Sequence, residues 1–165
     1  MTKLLGNLDK GKIIIVSAPA GTGKTTLVHR LIKEFPDCVV QSISCTTRSP
    51  REGEIDGKDY IFLTPDAFEK RKAAGGFLEC VTIFDSQYGT LKDMIENQRI
   101  GGKHVILVID TQGAKALKKK INALFIFIAP PSIETLKERL KKRKTESEEM
   151  IKREPYIDMI VGPQS

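Results

Sequence analysis

Short apolar runs alternate with stretches of helical spacing along this chain. "KIIIVSA" (Lys12 to Ala18) is apolar at successive positions and ends in a glycine-rich turn, the pattern of a buried parallel strand. "KTTLVHRLIKEF" (Lys24 to Phe35) places Leu27, Val28, Leu31, Ile32 and Phe35 at helical spacing, which predicts a helix with one apolar face that "FPDC" breaks. "VVQSISC" reads as a second strand and "TTRSPREGEIDGKDY" as a polar loop. "YIFL" and "FLECVTI" predict strands around a helix opening at "TPDAF", with Thr64 as N-cap and Pro65 in the first turn. Leu91 to Arg99 predicts a further helix, and "KHVILVID" (Lys103 to Asp110) a central parallel strand ending in an acid. "GAKALKKK" is helical, "ALFIFIA" is a buried strand and "SIETLKERLKKRK" is a basic helix. Strands alternating with helices predict an α/β fold, a central parallel sheet flanked by helices. The loop-rich stretch from about 43 to 89 reads as a small inserted lobe.

Composition narrows the class without choosing a function. The 165 residues suit one domain, 1–165, and no apolar run approaches the ~18 residues that span a bilayer. "MTKLLGNLDKGK" carries no signal-peptide pattern. Cys38, Cys45 and Cys80 are scattered, which argues against a zinc site or a disulfide framework and for a reducing, cytoplasmic setting. The net charge of +6 suits an anionic partner: nucleic acid, a membrane surface or a phosphorylated small molecule. Aromatic residues are 6% with no Trp and no stacking pattern, so a nucleic-acid partner has basicity as its only support.

"SAPAGTGKTT" follows the first predicted strand and opens a helix. This is the setting of a phosphate-binding loop, in which successive backbone N–H groups point at phosphate oxygens. The loop and its continuation are Ala18, Pro19, Ala20, Gly21, Thr22, Gly23, Lys24, Thr25 and Thr26. Gly21, Gly23, Lys24 and Thr25 hold the expected positions, and Ala18 stands where glycine is usual. Lys24 is expected on the β- and γ-phosphates of a nucleoside triphosphate and the Thr25 hydroxyl on Mg²⁺. The loop is shared by kinases, GTPases, motors and helicases, so alone it fixes nucleotide binding and not the reaction. Arg48 and Arg51, three apart in a loop stiffened by Pro50, form a pair of guanidinium forks suited to a phosphate monoester.

From Ser44 onward, "SCTTRSPREGEIDGKDY" resembles the monophosphate-binding lobe of the guanylate kinase family. The resemblance continues through "GGFLEC", "YGT", "VIDTQGAKALK", "FIAPPSIETLKERL" and "RKTESEEMIKR", from about Lys12 to Arg153. It implies a nucleoside-monophosphate-kinase fold. The core lies at about 11–42 and 90–165, the GMP-binding lobe at about 43–89 and a lid at about 139–155. It also implies transfer of the γ-phosphoryl of ATP to GMP or dGMP, with Mg²⁺, by a monomer or homodimer that binds neither nucleic acid nor membrane.

The resemblance implies roles at matching positions. Ser44 and Glu79 read guanine; a carboxylate accepts from N1–H and the exocyclic amino group, and a hydroxyl donates to O6. Arg48, Arg51, Tyr60 and Tyr88 grip the GMP phosphate, with Thr90 alongside, and Arg51 also faces the transferring group. Asp110 serves both the GMP site and, with Thr25, the metal; an acid usual two residues earlier in the family is Val108 here. Arg139 and Arg143 match basic lid positions, Arg143 acting on the moving phosphoryl group. The next lid arginine falls in register on Glu154, and Arg153, one position earlier, is the candidate for its part. Pro155 follows, and "EPYIDMIVGPQS" stands where the family has a longer helix, a strand and a closing helix. The end is thus truncated or altered. That sustains a second reading: a weak or inactive guanylate-kinase-like module that binds nucleotide or a partner.

Overall fold

The computed structural model describes residues 10–18, 22–83, 85–130, 132, 134, 135 and 138. Among the described residues, eight strands form two four-stranded sheets. The first sheet is parallel and consists of β1 (Ile13–Ser17), β2 (Val39–Gln41), β7 (His104–Ile109) and β8 (Leu124–Phe127), in the order β2-β7-β1-β8. The central strands are the continuous apolar runs of the sequence, because a parallel strand buries both faces. Ile13, Ile15, Val105, Leu107 and Ile109 pack with Ile95 of α3 (Lys92–Ile100) and Leu117 of α4 (Thr111–Leu117). On the other face Val16 and Ile106 pack with Val28 of α1 (Lys24–Glu34).

The second sheet lies between β2 and α3 in the chain. It contains β3 (Cys45–Thr46), β4 (Ile61–Phe62), β5 (Phe77–Ile83) and β6 (Ser86–Leu91), in the order β4-β3-β6-β5. One face is closed by α2 (Pro65–Ala73), whose Phe68 stacks on Phe77 at 4.5 Å between ring centroids. Thr64 caps this helix as expected, its hydroxyl accepting from the Ala67 N–H, with Pro65 in the first turn.

Five sequence expectations change. "VVQSISC" is not one strand: β2 stops at Gln41 and the chain crosses to β3 in the other sheet. "SQYGTL" pairs antiparallel with β5, although its mixed polarity and glycine gave no strand signal. β8 forms but is not buried: among the described residues it is an edge strand, and Leu124 is 57% exposed. Leu27 leaves the apolar stripe of α1 and is 52% exposed, because the helix meets the sheet through Val28, Leu31 and Ile32. Helix α4 ends at Leu117, and Lys118 to Lys120 form the turn after it. The predicted basic helix and lid lie largely outside the described residues.

Candidate active site

The parallel strands β1 and β7 end on the same side of their sheet, β1 in the phosphate loop and β7 at α4, and α4 contacts β5 of the second sheet. Gly23 adopts φ +93 immediately before α1, a conformation that favours glycine. It turns the chain so that Lys24 begins the helix. Lys24 Nζ donates to the Ala18 carbonyl at 2.7 Å, spanning the loop. Thr25 and Thr26 are exposed in the first helical turn. Pro19, Ala20 and Gly21 lie outside the described residues.

Asp110 follows β7 and caps α4, its Oδ1 accepting from the Gly113 N–H at 2.8 Å. Val108 is half-buried against the α1 side of the sheet. No group of three or more His, Cys, Asp or Glu side chains could hold a metal among the described residues. The available donors, the Thr25 hydroxyl and the remaining Asp110 oxygen, suit a cation that keeps most of its water shell, as Mg²⁺ does.

The second sheet carries the rest of the site on one face. The β5–β6 register shifts between Phe77 and Glu79, so Leu78 is the extra residue of a bulge. Leu78 packs against the core cluster, and Glu79 comes directly opposite Thr90. Thr90 Oγ1 donates to Glu79 Oε1 at 2.6 Å. Thr90 is 1% exposed and Glu79 8%. The other carboxylate oxygen, Oε2, is buried and has no hydrogen-bond partner. Burial pushes the Glu79 carboxyl above its ordinary value; the Thr90 hydrogen bond pulls it back, and the charge of Asp110 adds to the rise. A buried carboxylate oxygen without a partner is costly, and Oε2 is an acceptor left open within the chain.

Farther along this face lies the cationic end. Arg48 Nη2 contacts both Glu54 oxygens at 2.9 Å, and the Arg48 guanidinium carbon lies 5.4 Å from the Tyr60 ring centroid. Tyr60 meets Tyr88 edge-on at 6.1 Å. Burial opposes the Arg48 charge, but Glu54 and Tyr88 hold its pKa above the ordinary value. Burial likewise raises the Tyr60 phenol. Arg51 is exposed, and its backbone N–H donates to Glu54 Oε2 at 2.7 Å. Ser44 is half-buried just before β3, its carbonyl accepting from the Ile61 N–H.

The structure therefore brings Arg48, Tyr60 and Tyr88 together and sets Glu79 beside Asp110. Thr90 departs from the expected grouping: it stands on Glu79 rather than beside the arginines, because the bulge fixes its register there. Arg143 and Arg153, with Arg139, lie outside the described residues. Glu54 was missed. The signal was present, since an acid six residues after Arg48 and three after Arg51 can reach both across a tight loop.

The guanylate kinase family model matches residues 10–157, and the chain belongs to that family. It is 59% identical over 151 residues to the guanylate kinase of Protochlamydia amoebophila, covering 91% of this chain and 76% of the relative. It is 46% identical over 140 residues to that of Thermotoga maritima, covering 84% and 67%. Among solved structures it is similar to guanylate kinase from Anaplasma phagocytophilum, at a TM-score of 0.67 and 29% identity. That match covers 93% of this chain and 86% of the other.

Proposed function

We propose that the chain transfers the γ-phosphoryl group of ATP to GMP or dGMP, giving ADP and GDP or dGDP. The observation that carries this is Glu79, a buried carboxylate with one oxygen held by Thr90 and one without a partner. It shares a sheet face with the Arg48, Tyr60 and Tyr88 cluster. Guanine offers N1–H and an exocyclic amino group to such an acceptor. Adenine presents an unprotonated N1 on the same edge, so AMP would leave two acceptors facing each other.

In this reading the second sheet is the GMP lobe. Glu79 and Ser44 take the base, Asp110 stands beside them, and Thr90 orients Glu79. Arg48, Arg51, Tyr60 and Tyr88 take the phosphate. Lys24 and the loop from Ala18 through Thr26 take the ATP phosphates. Thr25 and Asp110 would hold Mg²⁺, which would supply positive charge against the phosphoryl oxygens. The acceptor phosphate is ionised at neutral pH, so no general base is required. Positioning and charge stabilisation by Lys24, Arg51, Arg143 and Arg153 carry the rate. The enzyme works in the cytoplasm, as a monomer or homodimer. No helix among the described residues is long and apolar enough to cross a membrane.

The test is ADP formation from Mg·ATP with GMP, dGMP, AMP, CMP, UMP or no acceptor. Turnover confined to GMP and dGMP is expected. GMP binding without turnover would instead favour the binding-module alternative, and equal turnover with AMP would overturn the assignment of Glu79.

A further inference from the structure

Gly113 lies in the first turn of α4, at the contact between α4 and β5. It is buried. Its backbone is helical and it is not among the glycines with positive φ, so conformation does not demand glycine there. Space does. A Cβ at this position would lie 3.1 Å from Glu79 Oε2 and 3.2 Å from Asp110 Oδ1, with Ile109 Cδ1 at 3.5 Å. Two carboxylates from different sheets thus converge on one bare Cα. Neither is free to retreat. Glu79 is held at its other oxygen by Thr90, and Asp110 is held by the Gly113 N–H itself.

We propose that Gly113 is a specificity-setting position: its missing side chain fixes where the unpartnered oxygen of Glu79 stands, and so how the chain selects its purine acceptor. This rests on the assignment of Glu79 to the guanine edge. Gly113 acts through Glu79 and Asp110 as a positioning residue and makes no contact with the reacting atoms. A methyl group here pushes the carboxylate by a few tenths of an ångström against its Thr90 hydrogen bond. That is enough to misalign an acceptor for the guanine N1–H and amino group. Alanine is the better helix former, so α4 itself gains from the exchange.

The test is Gly113→Ala, assayed for KM and kcat with GMP and with IMP, which lacks the exocyclic amino group, and for KM with ATP. The expected result is a rise in the KM for GMP of about tenfold, the loss of one well-placed hydrogen bond. The KM for ATP is unchanged, and the preference for GMP over IMP narrows. The same set is measured for Glu79→Asp and for the double variant. Shortening the acid by one methylene withdraws the carboxylate from the Cβ, so Gly113→Ala adds little to Glu79→Asp. An unchanged GMP KM in Gly113→Ala, while Glu79→Asp raises it, overturns the role of Gly113 and leaves the Glu79 assignment standing. An unchanged GMP KM in Glu79→Asp and in Glu79→Gln overturns the Glu79 assignment itself. If Gly113→Ala alone does not fold, a folded double variant supports the inference, because relief at Glu79 restores the fold. An unfolded double variant overturns it.

Discussion

Thr90 Oγ1 donates to Glu79 Oε1 at 2.6 Å across two adjacent strands, and both side chains are buried. This hydrogen bond is the one interaction among the described residues that favours the charged form of Glu79. Thr90→Val keeps the shape and removes the donor. It is expected to raise the Glu79 pKa further and to raise the KM for GMP about tenfold, leaving the KM for ATP unchanged. Steady-state kinetics with each substrate varied in turn checks this. A parallel rise in both KM values would mean general damage rather than loss of an oriented carboxylate.

Glu79 also sets function against stability. Its carboxyl is raised in the fold, so the folded chain holds the proton at pH values where the unfolded chain releases it. Its contribution to stability is therefore full below the ordinary carboxylate pKa and is lost as pH rises through the raised value. Glu79→Gln keeps an acceptor for Thr90 and places an amide near Asp110. Near neutral pH it is expected to stabilise the fold by about 1 kcal/mol, or about 2–4 °C in Tm. It should also raise the KM for GMP at least tenfold. Thermal melts from pH 4.5 to 8 should show the Glu79→Gln advantage growing with pH; a constant or shrinking difference would contradict the assigned shift.

Much of this arrangement was legible in the sequence, and the exceptions share a cause. β1, α1, α2, β5 and β7 announced themselves because each carries a continuous apolar run, a periodic apolar face or a cap, as Thr64 is for α2. β6 did not, because "SQYGTL" draws its place from pairing with β5 rather than from its own pattern. Glu79 and Asp110 were found individually, by motif and by position at a strand end. Their convergence on Gly113 depends on a bulge at Leu78 and on the approach of α4 to β5, both non-local. Periodicity carries no trace of such contacts. Exposure at β8 was misjudged for the same reason, since an edge strand and a central strand can share one apolar pattern.

Arg48 is held through both arms of its guanidinium, Nη2 on the two Glu54 oxygens and Nη1 donating to the Ser49 carbonyl at 2.6 Å, and lies over the Tyr60 ring. That geometry belongs to a planar guanidinium, and lysine cannot reproduce it. Arg48→Lys is expected to raise the KM for GMP about ten- to hundredfold, nearly as much as Arg48→Ala. Glu54→Gln loosens the fork without removing the cation and should have a smaller effect. Calorimetric titration of GMP against the three variants ranks them. If Arg48→Lys binds GMP as the parent does, charge alone suffices there and the fork is irrelevant.

His104 opens β7 and is buried, its Nδ1 accepting from the Lys12 backbone N–H at 3.0 Å beside β1. Only a neutral imidazole with an unprotonated Nδ1 can do this. Burial, aided by the charge of Lys12, lowers the His104 pKa below its ordinary value of 6.5. The unfolded chain therefore takes up the proton first as pH falls. The stability that His104 contributes is full above pH 6.5 and is lost as pH drops through the lowered folded value. Glu79 tilts the other way across part of the same range, so the raw pH profile of the chain mixes the two. His104→Asn separates them, because its Oδ1 can accept from the Lys12 N–H without titrating. Its stability difference from the parent should vanish or stay constant above pH 6.5 and turn in favour of the variant below it. His104→Ala leaves the Lys12 N–H without its acceptor and should cost about 1–2 kcal/mol where the parent histidine is neutral. Urea unfolding of the three proteins at half-unit pH steps measures both effects. A parent and a His104→Asn curve that run parallel down to pH 5 would show that His104 takes no part in the acid sensitivity of the fold.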